Sequence, residues 1–207
     1  MMNCTPIIKS FSPAPIDRRE VYRYMKCGEQ SDEIDALIDK AIAMCDGELR
    51  YDTVSIRMPI VSKNGGEIEL GTIKFHSYDL EKALAGCDGV VIFAATVGLG
   101  IDRLIARYGR QQPSLALCIQ ALGAERIESL CDQFCADLKA RGFSIRPRFS
   151  AGYGDLPIEF QKSIFSLLDC HKSIGLTLNQ SLLMSPSKSV TAIIGIKNCT
   201  EQKNENT

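Results

Sequence analysis

The segment Ser144–Tyr153 reads Ser-Ile-Arg-Pro-Arg-Phe-Ser-Ala-Gly-Tyr and collects residue types that suit a ligand loop. Arg148 offers a planar fork of donors that matches a carboxylate. Ser150 and Gly152 are small and let the main chain approach a bound molecule. Tyr153 presents an aromatic face, attractive to a cation such as a sulfonium, and a hydroxyl tip. A second reading of the same residues is that Arg148 ties an irregular loop to a sheet through backbone carbonyls and binds nothing.

Other chemistry is sparse. Gly98–Leu99–Gly100 follows an apolar run and precedes a helical one, as a dinucleotide turn would, but Arg103 stands where the third glycine belongs. Thr96 and Asp102 flank that turn, either as polar site residues or as caps. Nucleophile-elbow, zincin and Walker patterns are all missing, and two histidines (His76 and His171) give little scope for imidazole acid–base work. No catalytic residue is assigned. The nine cysteines contain no C-x-x-C pair and are odd in number, so neither a zinc ribbon nor a disulfide framework is indicated. Cys118, Cys131 and Cys135 fall within a helical pattern and are expected to pack as small hydrophobes. Cys131 and Cys135 share a helix face but lack a second metal-ligating pair. Asp79, Glu81 and Lys82 read as a solvated helix face, as do Glu125, Glu128 and Asp132.

The elements that must position these residues follow from periodicity. Asp17 opens a short helix that Gly28 stops, and Ser31 caps a second that ends at Gly47. Tyr51–Val61 reads as a strand, Lys63–Asn64–Gly65–Gly66 as a turn, and Ile68–Phe75 as the returning strand. A short helix from Ser77, a doubly buried strand over Gly89–Thr96 and a helix over Leu99–Tyr108 come next. Ser114–Ala140 is the longest helical pattern, with Pro113 just before it. Ile145–Leu156 is irregular, Pro157 opens another helix, and Leu182–Met184 and Val190–Ile196 are strand-like. Met1–Pro15 is expected to start irregularly. The architecture predicted is α+β: a single domain over residues 1–199, with a mainly antiparallel sheet and flanking helices, and a disordered tail over residues 200–207.

A net charge of -1 gives no basic field to gather nucleic acid. No apolar run reaches the ~18 residues that a membrane span needs. The N-terminus lacks the basic start and apolar centre of a signal peptide, so a cytoplasmic address is expected.

Beyond the loop, Pro157, Leu167–Leu168–Asp169, Ile174–Gly175–Leu176–Thr177–Leu178, Ser181 and Met184-x-Pro186-x-x-Ser189–Val190 follow in order. With Arg148-x-Ser150-x-Gly152–Tyr153, this series resembles the activation domain of cobalamin-dependent methionine synthase over Ile145–Ile196. The resemblance implies that the loop binds S-adenosylmethionine: Arg148 at the methionyl carboxylate, Ser150 through its main chain, Gly152 within the loop, and Tyr153 near the adenosyl or sulfonium part. The family's acidic ligand residue falls at Ser129, beside Glu128. Its N-terminal acidic residue has no clear counterpart, and its C-terminal tyrosine is expected to be missing. The resemblance also implies a partner, a cobalamin-binding methionine synthase chain, and a flavodoxin-like or other electron donor. The chain would then be an accessory subunit of that methyltransferase. The alternative is a non-catalytic binding or scaffold protein that keeps the fold without S-adenosylmethionine.

Overall fold

The computed structural model describes residues 5–198. Cys4, Cys199 and the expected tail lie outside the described residues. Ile7–Ser10 forms a strand (β1) where an irregular start was expected. Asp17 caps Arg18–Met25 (α1), its carboxylate accepting from the Arg19 N–H at 2.9 Å. The left-handed residue that ends α1 is Lys26, not Gly28. Ser31 caps Asp32–Cys45 (α2), whose first turn carries Asp32, Glu33 and Asp35 against the positive end of the helix dipole.

Asp52–Asn64 (β2) and Glu67–Leu70 (β3) form the expected hairpin. The return is shorter than Ile68–Phe75, because Gly71 turns the chain into another antiparallel strand, Ile73–His76 (β4). Tyr78–Ala83 (α3), Gly89–Thr96 (β5), Gly100–Tyr108 (α4) and Pro113–Ala140 (α5) come next. Phe143–Ile145 (β6) precedes the irregular loop, and Phe160–Leu168 (α6) follows it, three residues later than Pro157. Cys170–Ile174 (α7), Thr177–Leu178 (β7), Met184–Ser185 (β8) and Ser189–Asn198 (β9) complete the chain. The strand expected at Leu182 begins at Met184, since Leu182 takes a φ of 61°.

Seven strands make the main sheet, in the order β4-β3-β2-β5-β9-β6, with β1 also paired to β2 and every pairing antiparallel. One edge of β2 is shared, with β1 along Asp52–Ser55 and β3 along Ile60–Asn64. β7 and β8 pair apart from it. Helices cover both faces. Val91, Phe93 and Ala95 of β5 join a core with α1, α2, α4 and α5. Val90, Ile92 and Ala94 join the opposite core, with α3, α6 and α7. The period of two along a strand therefore splits β5 between two cores, which explains its unbroken apolar run in an antiparallel sheet. The fold is α+β with a mainly antiparallel sheet. Among the described residues, no helix is long and apolar enough to cross a membrane.

Candidate functional site

The loop from Arg146 leaves β6 along the edge of β9. The Arg146 N–H donates to the Gly195 carbonyl at 2.8 Å, and Phe149 and Ile193 exchange both main-chain bonds at 2.9 and 2.8 Å. This bridge sends neighbouring side chains to opposite faces. Phe149 and Ala151 pack into the α6–α7 core. Arg148 points to α5, where its Nη2 lies 2.8 Å from Glu128 and 3.4 Å from Asp132. Arg148 is thus tied down, but by carboxylates of a helix rather than by carbonyls of the sheet. Burial opposes its charge, while Cys131 and Glu128 favour it, and the balance raises its pKa above the ordinary value. The Cys131 thiol beneath it is pushed up to about 12 by burial.

Ser150 accepts the Tyr153 N–H at 3.1 Å, and the Gly152 N–H donates to Leu156 at 2.9 Å, closing a tight turn. Tyr153 stands 70% exposed. The four residues therefore share a loop, with Arg148 turned to a different face from Phe149 and Ala151. Gly154 takes a φ of +52°, and a Cβ there would meet Asp79 Oδ2 at 2.4 Å, so the loop approaches α3 as only glycine allows. The next residue, Asp155, caps α3. It accepts from the Ser77 hydroxyl and from the N–H groups of Tyr78 (2.7 Å) and Asp79 (3.2 Å). The Ser77 hydrogen bond, then those amides, hold its carboxyl below the usual range against burial.

Glu128 and Asp132, which hold Arg148, also line a groove of about 450 Å³ between two walls. One is α5, through Glu125, Glu128, Ser129, Asp132, Gln133 and Ala136; the other is the strap after β1 and the start of α1, through Ala14, Pro15, Asp17 and Glu20. Glu125 is not part of a solvated face. It is 4% exposed, paired with Arg126 at 2% exposed, and it accepts the Asp17 N–H at 3.0 Å. The signal was available: Leu122, Arg126 and Leu130 stand at i, i+4 spacing, which puts Arg126 on the buried stripe. Asp17 was legible as a cap and hidden as a wall residue, because nothing local says that α1 faces α5. Carboxylates stand along both walls, and two of them, Glu128 and Asp132, also hold Arg148, so the groove suits a cationic group with an arginine nearby.

The remaining sequence candidates have structural roles. Thr96 Oγ1 accepts from the Gly98 N–H at 3.2 Å and from the Ser189 hydroxyl at 2.8 Å, and Asp102 accepts the Ser187 N–H at 3.2 Å. A Cβ on Gly100 would lie 2.4 Å from the Glu48 carbonyl, so that turn is tight for packing. Cys118 and Cys131 are fully buried, and Cys135 packs at the edge of the same core. Among the described residues, no group of three or more His, Cys, Asp or Glu could hold a metal ion.

No family model matches the chain, and no curated protein matches it. Among solved structures, it is similar to a crystal structure of the MetH reactivation domain bound to AdoHcy. The TM-score is 0.70 at 16% sequence identity, over 94% of this chain and 79% of that one. The likeness extends well beyond the 145–196 segment in which the sequence resemblance was read. The chain therefore has the fold of a methionine synthase reactivation domain.

Proposed function

We propose that the protein is an accessory subunit that supports reductive methylation of cobalamin on a separate methionine synthase, with S-adenosylmethionine bound in the groove beside Arg148. The observation that carries this reading is the position of Arg148. It lies on a loop that follows the family's arginine–small–glycine–tyrosine series, in a chain with the reactivation-domain fold, and is bonded to two carboxylates that line an acidic groove. The residues present fit the methionyl end. Arg148 would take the carboxylate, and Asp17, Glu20, Glu128 or Asp132 would face the ammonium. Ser150 and Gly152 would offer main-chain groups, and Tyr153, exposed on the same loop, would meet the adenosyl part or the partner. S-adenosylmethionine supplies the methyl group, and cobalamin belongs to the partner. The chain's own work is to bind and orient. The electron would come from a flavodoxin-like or other donor, and a cytoplasmic setting suits this chemistry.

One observation favours the alternative of a scaffold protein without the ligand: Glu128 and Asp132 already occupy Arg148. Titration calorimetry with S-adenosylmethionine separates the two. Saturable heat supports the accessory role; none at millimolar ligand with folded protein removes it and leaves the scaffold.

A further inference from the structure

We infer that Glu125 and Arg126 are positioning residues whose buried pair latches the Ser12–Asp17 strap in place as the outer wall of the acidic groove. The inference rests on the reading of that groove as the S-adenosylmethionine site, and its first half can be tested without it.

The strap links β1 to α1 with no regular structure. Pro13 and Pro15 have no N–H to give, so the carbonyls are the main-chain handles at those positions. Those handles go to α5. Arg126 Nη1 donates to the Ala14 carbonyl and Nη2 to the Pro15 carbonyl at 3.0 Å. Glu125 takes the Asp17 N–H, and the Gln133 amide reaches the Ser12 carbonyl at 3.0 Å. One planar guanidinium thus holds two successive carbonyls while the same pair holds the following amide. A lysine cannot reproduce that fork.

What lies on the strap's two sides gives the latch its importance. Ala14 and Pro15 line the acidic groove, and both also line a larger cleft of about 1060 Å³ bounded by Ile42, Leu49 and Tyr51. Ile16 anchors the strap in the core, and the bonds to Arg126 and Glu125 place the carbonyls and amide on either side of it. Arg126, at the base of that cleft, therefore sets how wide the groove stands without a donor turned to the ligand. Asp17, the last residue of the strap, stands on the same wall of the groove.

The test compares Arg126→Lys with wild type in three measurements: thermal melting, amide hydrogen exchange over 11–19, and titration with S-adenosylmethionine. A working latch predicts faster exchange at Asp17, whose N–H the pair holds, unchanged exchange in β5, and about tenfold weaker ligand binding by the folded variant, a loss of ~1.4 kcal/mol. A role in stability alone would lower the melting temperature and leave the affinity of the folded protein unchanged. That result overturns the inference, as does unaltered strap exchange. If wild type gives no heat, the functional reading fails separately, and strap exchange in Arg126→Lys decides the latch. Should Arg126→Lys not fold, Gln133→Ala frees the strap at Ser12 alone, with faster exchange at the bonded amides of Phe11 and Asp17 and a smaller loss of affinity; unchanged exchange there overturns the latch too.

Discussion

The two faces of the sheet are covered by different means. On one, α5 runs 28 residues and presents Glu125, Glu128 and Asp132 at a pitch fixed by the helix itself. On the other, α3, α6 and α7 have 6, 9 and 5 residues, and their positions depend on the loop that Asp155 fastens to α3. The difference separates two ways of placing a functional group. The long helix places carboxylates rigidly and in series. The loop places Tyr153 through turns and one cap. Arg148 is where the two meet, on the loop of one face and bonded to the helix of the other.

That contrast is tested hardest at the strand both faces share. Phe93 is fully buried and stacks on Phe134 at 4.5 Å, so Phe93→Ala is expected to cost about 3–5 kcal/mol in denaturant unfolding. Ile92→Ala, one residue away on the other face, should cost about 2–5 kcal/mol. Hydrogen exchange should show the first variant loosening α5 and the second loosening α6. Loosening of the same helices by both would mean that the two cores are not separate.

Next in size is Arg148→Ala, expected to weaken S-adenosylmethionine binding by about 1.5–3 kcal/mol in calorimetry, the loss of a charge-assisted hydrogen bond. Unchanged affinity would return Arg148 to a purely structural role, as the tie between the faces. The smallest effect is expected at the loop's own fastening. The folded Asp155 carboxyl lies below its ordinary value, so below about pH 4 the unfolded chain binds more protons there than the folded one. Its stabilisation is full above the unfolded pKa of about 3.9 and is lost as pH falls through the lower folded value. Asp155→Asn should therefore melt below wild type at neutral pH, with the gap closing in acid. A gap that stays constant with pH would show that the charge of the cap does not matter.

These differences also decide what could be read from sequence. Helix caps at Asp17 and Ser31, the Asn64–Gly65 hairpin and the β5 run are local signals, and each appears where expected. β1 was hidden because a strand of four residues is recognisable by its partner, and Ser55–Asp52 lies more than forty residues along the chain. The loop was legible by residue type: Arg148, Ser150, Gly152 and Tyr153 do lie on one irregular loop. Its facing was not, since the Phe149–Ile193 bridge that turns Arg148 toward α5 is a tertiary pairing. Glu125 was misjudged because charge was weighed above helical position, and a charged residue on an apolar stripe signals a buried pair.

The shared edge of β2 has a consequence for handling the protein. β1 occupies the main-chain donors and acceptors of Asp52–Ser55, beside the hairpin that fills the far end of the same edge. A chain shortened to begin after Ser10 would leave that slot bare, as a template for strand addition between molecules. Self-association of such a truncated chain, at concentrations where the full chain stays dispersed, is the expected behaviour, and light scattering would register it.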